Sequence, residues 1–307
     1  MTSGGVTWQS QDINRDYLLK LSSEAMLLLG NKYRTLRESD ERGRASRTPP
    51  ARRHRLLELI DYAHEAAELL GDSRSGFDKG LDGYRISELI ATVSLFTRWR
   101  QHPAWPHLVD TLASDTEGQH SVMLLAIASY LTDTGNGTGI VFRQGSGKIS
   151  DIWTQPTLTE RLNVEIKTPI LFRGPRASLS VDEMRDTIER YVKKSASVQR
   201  GQLAPDQSGI LAIGAFHLGQ DALDLLCLAG QQVLDKQKDR KHHLACLTFS
   251  ELSYTFINTA DSSGNLQRQF MVSLRTRLVP HPGYKGKLVV REGMTPWSNW
   301  PPSAASS

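Results

Sequence analysis

Two cysteines in 307 residues, Cys227 and Cys246, each set inside an apolar run, argue against a disulfide or a thiolate metal site. Buried free thiols in a reducing compartment are the expectation. Long apolar runs are also missing. None approaches the ~20 residues a helix needs to cross a bilayer. The start, Met1-Thr2-Ser3-Gly4-Gly5, lacks the basic region and apolar core of a signal peptide. A soluble cytoplasmic protein without a membrane partner is therefore expected. Several enzyme signatures are absent too. Gly145-Ser146-Gly147-Lys148 lacks the first glycine of a phosphate-binding loop and leads into a strand, and the run Gly135–Gly139 opens no helix, as a dinucleotide site requires. There is no Gly-x-Ser-x-Gly elbow, zinc-finger spacing or internal repeat.

What remains is an ordinary globular composition, 39% hydrophobic and 23% charged, in a chain long enough for one large or two modest domains. A net charge of +4 and a pI near 9.0 are compatible with a polyanionic partner.

The first hundred residues read as helices. Tyr17, Leu18, Leu21, Ala25, Leu28 and Leu29 form a stripe that ends at Gly30-Asn31. Leu56, Leu59, Ile60, Ala63, Ala67 and Leu70 form a second, closed by Gly71. Ile86, Leu89, Ile90, Val93 and Phe96 form a third. His64, with no acid or histidine at metal spacing, reads as a surface or packing residue. Between Tyr33 and Arg55 arginines dominate, broken by Pro49-Pro50. Two readings are open there: a solvated, mobile loop, or an arm that contacts phosphates. In the second, Arg44, Arg47, Arg52 and Arg53 bind nucleic acid. The break His102-Pro103-Ala104-Trp105-Pro106 suggests a boundary, dividing residues 1–103 from 104–295. The Pro- and Ser-rich tail 296–307 reads as disordered.

The chemistry concentrates between Lys148 and Thr168. Lys148–Thr154 and Leu162–Pro169 have the β-branched content and alternation of half-buried strands, joined by a polar connection from Gln155 to Arg161. In this hairpin Glu165 and Lys167 project to one face and Val164 and Ile166 to the other. Asp151 can lie opposite the polar pair, with Ile152 beside Val164 and Ile166. Two adjacent carboxylates repel unless a proton or cation separates them. Hard oxygen ligands suit Mg²⁺ or Mn²⁺.

Asp151 followed by Glu165-Ile166-Lys167 resembles the bipartite motif of the PD-(D/E)xK, restriction-endonuclease-like nucleases, with Ser150 where the family often has proline. The element order agrees over roughly Thr116 to Lys236. It runs from a helix at about Glu117 to Leu131, through a glycine-rich turn at Gly135–Gly139, a strand Ile140–Arg143 and the hairpin. A helix from Val181, a strand Gly209–Phe216 and a helix from Ala222 follow. The resemblance implies an α/β fold with a mixed central sheet flanked by helices, following an all-helical N-terminal region. It implies that Asp151 and Glu165 bind the metal, that Ile166 offers its carbonyl, and that Lys167 assists the attacking water. Glu117 is a further candidate ligand on that resemblance, or simply an acid in a first helical turn. Basic residues of the helix after the hairpin, such as Lys193 and Lys194, fall near the scissile phosphate. The implied function is Mg²⁺- or Mn²⁺-dependent hydrolysis of nucleic acid, DNA in the first instance, with a homodimer left open. The alternative is an inactive module that keeps the fold and binds nucleic acid or a protein.

Ser180-Val181-Asp182-Glu183 has the form of a capping box, and Leu244–Phe249 and Gln269–Val279 read as added strands. The cluster Asp235–His243 reads as a solvated helix end whose histidines lack metal-binding partners.

Overall fold

A computed structural model describes residues 13–46, 53–71, 80–114, 118–133, 137–140, 151–155, 161–174, 179–195, 203, 209–219, 221–237, 244–260 and 266–284. Glu117, Arg47, Arg52, residues 141–150 and the tail 296–307 lie outside these. The elements run α1 (Arg15–Leu29), α2 (Asn31–Ala45), α3 (Arg55–Leu70), α4 (Gly83–Arg98), α5 (Trp105–Leu112), α6 (Gly118–Asp133), β1 (Gly137–Ile140), β2 (Ile152–Gln155), β3 (Leu162–Lys167), α7 (Val181–Ser195), β4 (Gly209–Phe216), α8 (Ala222–Gln237), β5 (Leu244–Ala260) and β6 (Leu266–Pro280). The fold is mixed α/β, and among the described residues every element before Gly137 is helical. None of the described helices is long and apolar enough to cross a membrane.

Two compact units divide the chain. One comprises mainly Thr7–Val122 with Tyr254–Val272, and the other Met123–Ser253 with Ser273–Pro296. The division falls inside α6, beyond the turn at residues 101–104 where the proline break lies.

In the first unit the apolar stripes of α1, α3 and α4 are buried against one another. Asn14 caps α1 by accepting from the Tyr17 amide at 2.9 Å. Gly30 and Gly71 end α1 and α3 at φ 54° and 51°, a left-handed conformation that favours glycine. Polar pins cross the helices. Ser22 Oγ lies 2.8 Å from His64 Nε2, making His64 a packing residue. On α4, Glu88 accepts from Arg55 Nη2 at 2.6 Å and from Gln119 Nε2 at 3.1 Å.

The arginine-rich stretch is a helix through Ala45, not the loop that its composition suggests. Ion pairs at helical spacing, Arg34–Glu38 at 4.0 Å and Arg37–Glu41 at 3.5 Å, support it, and Arg42 and Arg44 complement the dipole of its last turn. α2 buries no residue, so no apolar stripe announces it.

The described strands form one six-stranded sheet in the order β1-β2-β3-β4-β5-β6, with β1 to β4 wholly in the second unit. β1, β2 and β3 pair antiparallel, whereas β3, β4 and β5 run parallel. Hydrogen bonds Ser250–Thr276 and Ser253–Ser273, both 2.9 Å, fit one antiparallel register for β5 and β6. β5 runs well past the apolar segment Leu244–Phe249 that marks it, and there Ser250 and Ser253 find hydroxyl partners across the ladder. All eight residues of β4 are buried. On one of its faces Leu211, Ile213 and Ala215 pack with Met184, Ile188 and Val192 of α7 and Leu223, Leu226 and Ala229 of α8. On the other, a Cβ at Gly214 would meet Met123 of α6 at 2.3 Å, so glycine permits a close helix–sheet approach. Helices thus cover both faces of β4.

The capping box before α7 is formed. The Ser180 amide donates to Glu183 Oε2 at 3.0 Å, and the Glu183 amide donates to Ser180 Oγ at 3.2 Å. One glycine-rich segment departs from expectation. Gly137 and Gly139, read as part of a turn, belong to β1, and at Gly139 the strand crosses directly beside the Trp153 indole, where only glycine leaves room.

Candidate metal and phosphodiester site

Register places the site. Ile152 pairs with Val164, Trp153 with Asn163 and Thr154 with Leu162, so one further step sets Asp151 opposite Glu165. Directly opposed residues of an antiparallel pair share a face, with Cβ atoms ~4.5–5.5 Å apart. Asp151 Oδ2 accepts the Ile166 amide at 2.8 Å, which fixes the carboxylate beside β3 just where β2 begins. Ile152, Val164 and Ile166 are fully buried on the opposite face.

Glu165 has no accessible surface, and Lys167, on the same face, donates to its Oε1. A buried carboxylate requires such a partner, because desolvation of an isolated charge costs several kcal/mol. Lys167 keeps part of its side chain accessible, as does Asp151, so the site opens on their side. In β4 the partners of Glu165 and Lys167 are Leu211 and Ile213, members of the apolar cluster under α7 and α8. The three charged groups therefore stand at the border of an apolar core, where electrostatic interactions are stronger than in water.

The donor set suits a hard divalent cation. Two carboxylates stand on opposed positions of one face, with an ammonium adjacent, and Mg²⁺ typically takes one or two carboxylates and completes its shell with water and phosphate oxygens. Among the described residues there is no group of three or more histidine, cysteine, aspartate or glutamate side chains that could hold a metal. Glu117 lies outside the described residues.

The other candidate residues lie on other elements. Lys193 and Lys194 stand in the last turn of α7, where Lys193 binds Glu189 at 2.7 Å and draws that carboxyl below its ordinary range. Arg44 is exposed near the end of α2, and Arg53 is bound to Asp61, both in the helical unit. Cys246 is buried, its thiol pushed up to about 12 by desolvation, which makes it an inert core residue.

A further buried carboxylate escaped the sequence reading. Glu251 on β5 is fully buried opposite Ala215 of β4. Its Oε1 accepts the amides of Leu218 and Gly219 at 3.1 and 3.3 Å, and its Oε2 accepts Arg275 Nη2 at 2.6 Å. The group staples the turn after β4, where His217 takes φ 55°, to the β5–β6 ladder. An acid inside an otherwise apolar strand was the available signal. Burial raises the Glu251 carboxyl above its ordinary value, against the opposing effect of Arg275. A carboxyl raised on folding binds more protons in the native state. Its contribution to stability is therefore greatest below the unfolded pKa and declines as pH rises through the folded one. The stability of wild type relative to Glu251→Gln should fall with rising pH over that window in denaturant titrations. A difference independent of pH would contradict this assignment.

No family model, curated protein or solved structure matches the chain.

Proposed function

We propose that this chain is a metal-dependent nuclease of the PD-(D/E)xK type, acting on phosphodiester bonds in nucleic acid, DNA in the first instance. The observation that carries the reading is the opposition of Asp151 and Glu165 across the β2–β3 pair, with Lys167 on Glu165 and the Ile166 amide on Asp151. The order of helix, antiparallel β1–β2–β3, helix and parallel β4 supports it.

Asp151, Glu165 and the carbonyl of Ile166 would hold Mg²⁺ or Mn²⁺, which when bound supplies Lewis acidity and a more acidic water. Asp151 is oriented for this by the backbone of the neighbouring strand, so little side-chain freedom is lost on binding. Lys167 contacts the buried Glu165 and places a positive charge beside the reacting phosphate, where negative charge develops during attack. The core under α7 and α8 holds β3 rigid and keeps these groups in register.

A second reading rests on the direct Glu165–Lys167 contact, which gives the buried Glu165 a counter-charge from the protein itself. A module that binds nucleic acid without cutting it would keep that pair. Incubation with single- and double-stranded DNA and RNA, in Mg²⁺ and in chelator, separates the two. The nuclease reading expects cleavage with Mg²⁺ and none with chelator. Binding without cleavage under every condition supports the inactive module.

The exposed Arg44 is proposed to contact phosphate, whereas Arg53 is held by Asp61 and, at 3.9 Å, by Asp40. Arg44→Gln should weaken binding similarly across sequences and lower the log–log salt slope by about one. An unchanged slope would leave Arg44 as a helix-end charge only.

A further inference from the structure

The face carrying Asp151 and Glu165 continues across β2 onto β1 as an aromatic shelf. Trp153, two residues from Asp151, shares its face and is register partner to both Asn163 and Gly139. A Cβ at Gly139 would fall 2.4 Å from the indole Nε1 and 2.5 Å from Cε2, so the ring lies directly on bare β1 backbone. The next position of β1 on this face, Gly137, is also glycine. Over the ring, the exposed Arg161 sets its guanidinium 4.9 Å from the centroid.

A half-buried indole held against glycine and topped by an exposed planar cation does more than hold a hairpin together. Core packing would bury the ring, and a purely solvated arginine would not stack. Strand rise separates Trp153 from Asp151 by about 7 Å. A nucleic-acid strand with one phosphate at the carboxylates therefore brings an adjacent base to the shelf. Every base has a π-face that stacks on aromatic rings or on guanidinium, but only an unpaired base can present it.

We infer that Trp153 and Arg161 form a stacking platform for an unpaired nucleobase next to the scissile phosphate, which makes single-stranded nucleic acid the substrate class. This rests on the nuclease reading of Asp151 and Glu165. The base stacks on the outer face of the Arg161 guanidinium, which the Trp153 indole backs and the Gly139 backbone supports. Arg161 also places positive charge beside the incoming backbone.

The test is fluorescence anisotropy on the full chain with Ca²⁺ replacing Mg²⁺, using oligo-dT, oligo-rU and an abasic sugar-phosphate strand of equal length. Wild type should bind one or both base-bearing strands at least about tenfold more tightly than the abasic strand. The dT and rU arms identify DNA or RNA as the source of the base. Trp153→Ala and Arg161→Ala should bring base-bearing affinity down to near the abasic level, and Trp153→Phe should retain most of the preference. Arg161 is exposed, so its variant carries the test if Trp153→Ala does not fold. Equal wild-type affinity for base-bearing and abasic strands would overturn the platform, even if Mg²⁺-dependent cleavage stands. An Arg161→Ala loss of equal size on both kinds of strand would reduce Arg161 to a phosphate contact and overturn it too. Absence of binding to any strand would overturn the nuclease reading along with it.

Discussion

Asp151→Asn and Glu165→Gln are each expected to lower Mg²⁺-dependent cleavage by about a thousandfold or more, since each removes a charge placed for the metal and the developing phosphate charge. Asparagine keeps an oxygen to accept the Ile166 amide, and glutamine keeps the volume and an acceptor for Lys167, so both variants should fold. Asp151→Ala would additionally leave the Ile166 amide without that acceptor, at about 1–3 kcal/mol of stability. Lys167→Ala is expected to spare metal affinity and lower kcat, because an ammonium is no metal ligand. Single-turnover cleavage alongside metal titration by calorimetry separates the two effects. Full activity in Glu165→Gln would remove the nuclease assignment from these residues.

The second large effect concerns stability. Glu88 lies buried on α4 and takes a two-pronged contact from Arg55, with Nε 3.2 Å from both oxygens and Nη2 2.6 Å from Oε2. Arg55 also reaches Glu58 at 3.1 Å. Glu88→Ala removes the main counter-charge of a guanidinium set among packed helices, and breaking one side of such a pair costs about 3–5 kcal/mol. Glu58 compensates part of this, so the lower end of the range is expected by chemical denaturation. A loss below about 1 kcal/mol, the scale of exposed pairs, would mean that the pair behaves as a surface contact.

Different parts of this molecule were legible to different degrees, for physical reasons. The stripes of α1, α3 and α4 are apolar residues at helical spacing, and burial follows directly from that periodicity. β4 is a short, wholly apolar run bounded by turns, the pattern of a strand covered on both faces. In contrast, α2 is held by charge pairs with no buried side, so composition alone reads as loop. Strand alternation puts Glu165 and Lys167 on one face without any tertiary information. Setting Asp151 opposite Glu165 requires the pairing register, which local sequence specifies weakly. The shelf of Trp153, Gly139 and Arg161 and the staple of Glu251 and Arg275 were invisible for the same reason. Their partners come from separate strands and loops, and meet only once the sheet order is set.

The central claim is that Asp151 and Glu165 jointly hold a divalent cation beside Lys167. Its most direct measurement is the anomalous scattering map of crystals grown with Mn²⁺. The account predicts one strong peak within about 2.0–2.3 Å of an oxygen from each carboxylate, with the Lys167 ammonium facing the same cleft. Crystals with Mn²⁺ bound elsewhere, or with no peak shared by Asp151 and Glu165 at saturating metal, would contradict it.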